Sequence, residues 1–257
     1  MLGANMQITV LGATGVLGHQ LVENLVNRGH AVVEAHRSGG VDAYRDHGLQ
    51  EAVAGSDWVV DCLNLQTLSP GRAVDFFTTT AHHIAEAART SGARVAVVSI
   101  VGAANPALHR SLGYYKGKAA QESVYHDEVP PERLLMFRST QWFELVETLL
   151  NQTSLGPIAA VPHMRVQPLA VADAAGFLAD AIEQNHSGDR AVAGPDVRDM
   201  AELAAQVAAV RAKRTLVIPI TLGRVLRQNL LLPDDGALIG TTSWADWLAE
   251  FRAAQSR

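Results

Sequence analysis

The chain has 257 residues but a single cysteine, Cys62. An internal disulfide and a cysteine-ligated metal cluster are both excluded. Long hydrophobic runs are missing too. The longest mostly apolar stretch, Val95 to Ala104, is strand-sized and falls short of the roughly 18 residues that a membrane span needs. Basic charge is scarce: 21 Lys and Arg stand against 26 Asp and Glu, a formal net charge of −5. Scattered cations leave no footprint for nucleic acid and no polybasic patch for a membrane. The opening MLGANMQITV has no basic segment followed by a long apolar one, so no secretory leader is expected. Neither a Gly-x-Ser-x-Gly elbow nor a Walker lysine occurs, which removes support for hydrolase and P-loop ATPase chemistry. Ten histidines are present, yet the adjacent His82 and His83 diverge by about 100° on a helix and nothing completes a zinc pattern. No metal is expected. At 48% hydrophobic and 18% charged, the composition is that of a globular protein. The expectation is a cytoplasmic protein, monomer or small homo-oligomer, whose partner is a small-molecule substrate.

Over the first 138 residues, short β-rich runs alternate with helical patterns. Strands are predicted at Gln7–Leu11, Ala31–Ala35, Trp58–Leu63, Arg94–Val101 and Arg133–Phe137, and a short one at Val41–Tyr44. Between them fall helices at Val16–Arg28, Leu49–Ala54, Ala73–Arg89 and Tyr114–Tyr125. This alternation implies βαβ units and an α/β fold with a doubly wound parallel sheet. Beyond residue 138 helices dominate, at Phe143–Leu150, Val171–Glu183, Met200–Arg211, Leu222–Leu231 and Trp244–Ala253, with strands only at Ala191–Ala193 and Leu216–Ile218. No linker interrupts the chain. We therefore expect one domain over 1–257, with a nucleotide-binding core at 6–138 and a smaller substrate-side region at 139–257.

The segment Leu11-Gly12-Ala13-Thr14-Gly15-Val16-Leu17-Gly18 lies between the first strand and the first helix. Gly12 permits a tight turn, Gly15 lets backbone approach a pyrophosphate, and Gly18 allows close helix–strand packing. The helix start adds free N–H donors and the positive end of its dipole. Gly12, Thr14, Gly15, Val16, Leu17 and Gly18 are therefore the candidate dinucleotide contacts. Where an NAD-binding chain places an acid at the end of the second strand, this one has His36-Arg37-Ser38, with Glu34 earlier in the strand. The Arg37 guanidinium suits a 2′-phosphate, so NADP(H) is expected rather than NAD(H). Asn64, in the loop after the Trp58–Leu63 strand, faces the carboxyl end of the sheet and is a further cofactor candidate.

Tyr114 and Lys118 stand four apart and share one helical face. An ammonium beside a phenol favours its ionised form, so the pair can pass a proton to or from a substrate while hydride moves. After the last core strand, Gln141, Trp142 and Phe143 are candidates for a substrate wall. Cys62, in an apolar setting, is expected to be buried and inert, and Trp244 with Trp247 to dock the last helix.

The order Gly-Ala-Thr-Gly-Val-Leu-Gly, the Tyr114–Lys118 spacing, Ser99-Ile100-Val101-Gly102, Ala119-Ala120-Gln121-Glu122, Arg138-Ser139-Thr140-Gln141-Trp142 and Val171-Ala172-Asp173 together resemble the short-chain dehydrogenase/reductases, in their atypical and extended branches near the NmrA-like group. The resemblance spans roughly residues 7–250. It implies a Rossmann core, Tyr114 and Lys118 as a catalytic pair, Lys118 as a ribose contact, and a hydroxyl near the end of the preceding strand, for which Ser99 is the nearest residue. The expected function is an NADP(H)-dependent oxidoreductase acting on a small carbonyl-type or unsaturated substrate. Two alternatives stay open: a non-catalytic NAD(P)(H) sensor of NmrA-like type, and a nucleotide-sugar epimerase-like isomerase.

Overall fold

The computed structural model describes residues 5–67, 69–211 and 215–255. Its elements run β1 (Gln7–Leu11), α1 (Val16–Asn27), β2 (Ala31–Ala35), α2 (Leu49–Val53), β3 (Trp58–Asp61), α3 (Pro70–Ser91), β4 (Arg94–Ile100), α4 (Pro106–His109), α5 (Gly113–Glu128) and β5 (Leu134–Ser139). There follow α6 (Glu144–Thr153), β6 (Ser154–Leu155), β7 (Ile158–Pro162), β8 (Arg165–Val166), α7 (Val171–Glu183), β9 (Gly188–Ala193), β10 (Arg198–Asp199), α8 (Met200–Val210), β11 (Leu216–Ile220), β12 (Leu238–Ile239) and α9 (Trp244–Gln255). The main sheet is ordered β12-β9-β5-β4-β3-β1-β2. β1 pairs in parallel with β2 and β3, β3 with β4, and β9 with β12. The expected α/β doubly wound architecture is what the chain adopts.

Two compact units divide the chain. The first comprises residues up to Arg138 together with Ala175–Arg190. Its central strands are buried along nearly their whole length, Trp58–Asp61 at every position, as strands covered on both faces must be. Leu11, Val59, Ile84, Val95, Val97, Tyr125 and Met136 belong to its hydrophobic core. α3 begins where Ser69 caps it, its hydroxyl accepting from the Arg72 amide, with Pro70 in the first turn. α3 and α5 pack very closely because of Gly117: a Cβ built there would stand 2.8 Å from Ala73 Cβ and 2.9 Å from Phe77 Cδ2. A ladder of Arg28 to Asp180 and Glu183, and of His30 to Glu183, ties 175–190 into this unit.

The second unit comprises Ser139–Ala174 and the residues from Ala191 onward. It contains a three-stranded sheet, β11-β7-β6, in which β11 and β7 are parallel and β6 and β7 antiparallel, and a short β10-β8 pair. Phe143, Trp244, Trp247 and Phe251 form a continuous ring stack, with centroids between 4.9 and 5.7 Å apart.

Two expected elements do not form. The strand over 41–44 is replaced by a tight turn closed by an Asp42–His47 bridge. The Asp42 carboxylate accepts from the amides of Tyr44 and Arg45, satisfying locally the donors that a strand would offer to a neighbour. The helix over 222–231 breaks into two 3-10 turns, Val225–Arg227 and Asn229–Leu231. Gly223 has φ +83° and Gln228 between the turns is extended, and neither conformation can continue an α-helix.

Candidate functional site

In the sheet order, β2 lies on one side of β1 and β3 on the other, so the chain reverses direction across the sheet between β1 and β3. Ligands of open α/β sheets bind outside the carboxyl ends of the strands at such a switch point. Two segments of the first unit flank it: the glycine loop after β1 and residues 62–67 after β3. Gly12 has φ +77°, and a Cβ there would lie 2.9 Å from the Cys62 carbonyl oxygen, so the two loops touch backbone to backbone. The Gly12 amide donates to the Ala35 carbonyl of β2 at 2.9 Å, and Gly15 donates back to Gly12, also at 2.9 Å. At Gly18 a Cβ would collide with the Gly12 carbonyl and approach Ala13 Cα at 3.0 Å. The helix–strand approach therefore needs glycine at that position.

Gly15 caps α1 without any side-chain hydrogen bond, and the first turn carries no acidic residue. The amides of the first turn have no partners inside the helix, as at any α-helix start. Thr14, Gly15 and Val16 are exposed; Leu17 and Gly18 are buried, so Leu17 offers its backbone while its side chain packs inward. This arrangement fits a pyrophosphate.

Arg37 opens a 3-10 turn just beyond β2. The turn is held by His36 Nδ1, which accepts from the Gly39 amide and bonds the Ser38 hydroxyl at 2.9 Å. Arg37 is exposed and makes no ion pair with any described residue; Glu34 is exposed within β2. Asn64 is exposed in the 62–67 segment. Cys62 lies just past β3, half-buried, and burial pushes its thiol well above the ordinary range. It stays a neutral thiol.

Tyr114 sits in the first turn of α5, half-buried, its ring edge-on to Phe77 at 5.7 Å. Burial pushes its phenol up, with Tyr115 and Asp61 adding to the effect. Lys118, one turn on, is 3% exposed. Its ammonium donates to the Val98 carbonyl and to Gln121 Oε1, both at 2.9 Å, and lies 4.3 Å from the Phe77 ring centre and 5.9 Å from that of Tyr114. Burial lowers its pKa to about 8, against the pull of Asp61, Cys62 and Glu122. Tyr114 and Lys118 are thus brought together over Phe77. Ser99 is not brought to them as a free hydroxyl: it is 3% exposed and donates to the Glu122 carboxylate, which also takes two bonds of 2.9 Å from Arg138.

Gln141, Trp142 and Phe143 belong to the second unit. Phe143 is 1% exposed, in the ring stack described above, which assigns it to core packing. Gln141 is buried, and the half-buried Trp142 donates through Nε1 to the Ser139 hydroxyl. Only Trp142 of the three keeps exposed surface of any extent. Among the described residues no group of three His, Cys, Asp or Glu side chains is placed to hold a metal ion, and no helix is long and apolar enough to cross a membrane.

Sequence reasoning missed the polar layer beneath Lys118. Gln121 Nε2 donates to Asp61 Oδ2 at 2.7 Å, and the Tyr125 hydroxyl donates to the same oxygen at 2.8 Å. A signal was available: Lys118, Gln121, Glu122 and Tyr125 recur at helical i, i+3, i+4, i+7 spacing, a polar stripe on a face that must be buried.

No protein-family model matches the chain, and no curated protein matches it in sequence. Solved structures do. A dTDP-4-dehydrorhamnose reductase from Bacillus anthracis in complex with NADP is 16% identical over 97% of this chain and 99% of its own, with a TM-score of 0.74. MoeE5 in complex with UDP-glucose and NAD is 16% identical over 97% and 99%, at 0.73. A UDP-N-acetylglucosamine 4-epimerase from Bacillus cereus is 16% identical over 98% and 100%, at 0.68. At such identities the likeness is one of fold, and the chain shares with these proteins a Rossmann-type α/β fold.

Proposed function

We propose that this chain is an NADP(H)-dependent oxidoreductase of the short-chain dehydrogenase/reductase superfamily that reduces a small carbonyl-type or unsaturated substrate. The observation that carries the reading is the uncapped start of α1, lined by Gly12, Gly15 and Gly18, at the switch point between β1 and β3. The amides of Val16, Leu17 and Gly18 would hold the pyrophosphate, Arg37 the 2′-phosphate, and Asn64 the ribose side. When bound, the nicotinamide supplies hydride. Tyr114 supplies the proton to the substrate oxygen: a phenol pushed up by burial stays protonated at neutral pH, which suits donation and so favours reduction. Two of the three Lys118 N–H groups are committed inside the protein, leaving one for the nicotinamide ribose. The sugar nucleotides handled by the structurally similar reductase and epimerase are the substrate class to assay first.

Fluorescence titration with NADPH and NADH tests the reading. NADPH binds more tightly, and Arg37→Ala weakens NADPH by about 10–100-fold while leaving NADH unchanged, the worth of a charge-assisted bond to phosphate. Failure of both dinucleotides to bind refutes it. Tyr114→Phe retains NADPH binding and loses turnover.

A second reading has its own support. The Ser99 hydroxyl is spent on Glu122, so the usual third catalytic group is not free. A non-catalytic dinucleotide sensor of NmrA-like type binds NADP(H) with unequal affinity for its two redox states and turns nothing over. A cofactor that stays bound through purification, with isomerisation and no net redox change, identifies epimerase-like chemistry instead.

A further inference from the structure

Asp61 ends β3 with its side chain entirely buried. Its Oδ1 accepts the Leu63 amide at 3.0 Å, and its Oδ2 accepts both the Tyr125 hydroxyl and Gln121 Nε2. A primary amide has one donating end and one accepting end. With Nε2 drawn to Asp61, the Gln121 side chain has to turn Oε1 the other way, and there it meets Lys118 Nζ at 2.9 Å. The Val98 carbonyl takes a second N–H, and the Phe77 ring closes another side at 4.3 Å. Reversing the amide would aim an N–H at an ammonium and a carbonyl at a carboxylate. Neither clash is tolerable at zero exposure.

We propose that Asp61, acting through Gln121, is a positioning residue for Lys118: the carboxylate fixes the sense of the amide, and the amide with the Val98 carbonyl fixes the direction left to the third N–H. The inference rests on the reading of Tyr114 and Lys118 as the working pair of the site. It adds a role for two residues that have no exposed surface of their own. Asp61 also links that lysine to the 62–67 segment, because the Leu63 amide is anchored on the same carboxylate.

The relay is electrostatic as well as geometric. The titratable groups around Lys118 are Asp61 from the end of β3, Cys62 after it, and Tyr114 and Glu122 on α5; the remaining neighbour, Phe77 of α3, carries no charge. Burial keeps the Cys62 thiol and the Tyr114 phenol neutral, and Glu122 is matched by Arg138. Asp61 is the carboxylate left to oppose the ammonium.

The chain contains only three lysines, Lys116, Lys118 and Lys213, so isotope-labelled lysine resolves them by NMR in the protein without ligand. The exposed Lys116 serves as internal reference. In Asp61→Asn the titration of Lys118 moves down by about one pH unit or more, since loss of a nearby opposite charge has that size. The upper pH limit of NADPH binding moves down with it. Gln121→Met keeps the carboxylate but removes the relay, and weakens NADPH about tenfold, the worth of roughly 1.4 kcal/mol. Tyr125→Phe, which removes the second donor to Asp61 Oδ2 and leaves the carboxylate in place, moves Lys118 less than Asp61→Asn does. A folded Asp61→Asn protein in which Lys118 titrates as in the parent overturns the proposal. If that variant fails to fold by circular dichroism, Gln121→Met decides: unchanged NADPH affinity and unchanged Lys118 titration overturn it equally. The NMR arms need no dinucleotide. Failure of the parent to bind NADPH therefore refutes the reductase reading and is distinct from failure of the relay.

Discussion

One substitution, glycine to alanine in a helix, is expected to have opposite effects at two positions of the first unit. Gly176 lies inside α7, and a Cβ there meets nothing within 4 Å. Gly117 lies inside α5, and a Cβ there meets Ala73 Cβ at 2.8 Å, Ala73 C at 2.9 Å and Phe77 Cδ2 at 2.9 Å. Both gain the same helix propensity, about 0.8–1.0 kcal/mol. At Gly176 nothing opposes it, so Gly176→Ala stabilises by about that amount and raises Tm by roughly 2–4 °C for a chain of this size. At Gly117 carbon–carbon separations of about 3.5–4.0 Å have to be restored. Two of the three obstructing atoms belong to Ala73, whose Cβ and backbone cannot swing aside, so α5 has to move off α3. Overpacking of that kind costs about 1–3 kcal/mol, and the rigid obstruction puts this case toward the upper end. The net is about 1–2 kcal/mol of destabilisation, a Tm lowered by roughly 2–8 °C. Thermal melts of the two variants beside the parent measure both signs at once. A Gly117→Ala protein that melts at or above the parent refutes the account of α3–α5 packing, because it leaves the propensity gain unopposed. The same variant also shifts Phe77 against Tyr114 and Lys118, so its NADPH affinity falls, whereas that of Gly176→Ala does not.

Three further outcomes follow from the buried charges and the glycine loop. Glu122→Gln breaks a buried pair in which Arg138 donates twice, and denaturant unfolding should show a loss of about 3–5 kcal/mol. Asp189→Asn removes the largely exposed second partner of the same arginine and should cost less than about 1 kcal/mol. Equal losses would contradict the burial argument. Lys118 titrates near 8 in the fold against an ordinary 10.5, so the unfolded chain binds the extra proton between those values and stability rises with pH across that window, by on the order of 3 kcal/mol. Lys118→Met flattens this rise, and a slope unchanged by that substitution would show that another group carries it. Gly12→Ala forces a φ of +77° on a side chain and drives its Cβ against the Cys62 carbonyl, so it loses both NADPH binding and thermal stability.

The parallel sheet was readable because its strands are short apolar runs set between helices of clear period; Val171–Glu183 even has the expected bounds. The loop conformation at Gly12 was readable because few residues other than glycine tolerate it. What escaped the sequence depends on partners far along the chain. The strands β6, β8 and β10 are two residues long each, and their existence is set by the strand they pair with and not by local propensity. Asp42 reads as a strand residue until its carboxylate is seen to take its own neighbours' amides. At the site, the spacing of Tyr114 and Lys118 was visible. The diversion of Ser99 to Glu122 was not, nor the bond from Lys118 to the Val98 carbonyl, because those partners lie 23 and 20 residues away.

The return of Ala175–Arg190 to the first unit bears on how the molecule is made. Until a ribosome has passed residue 183, Arg28 has neither of its carboxylates and the buried His30 lacks its acceptor. The first unit cannot finish folding as it emerges, although most of it is synthesised first. A fragment ending at Arg138 would leave the Arg28 guanidinium and the His30 ring without these partners and expose the face that α7 covers. Expression of this protein by halves is therefore expected to yield aggregates, while cuts in the surface loops of the second unit should be tolerated.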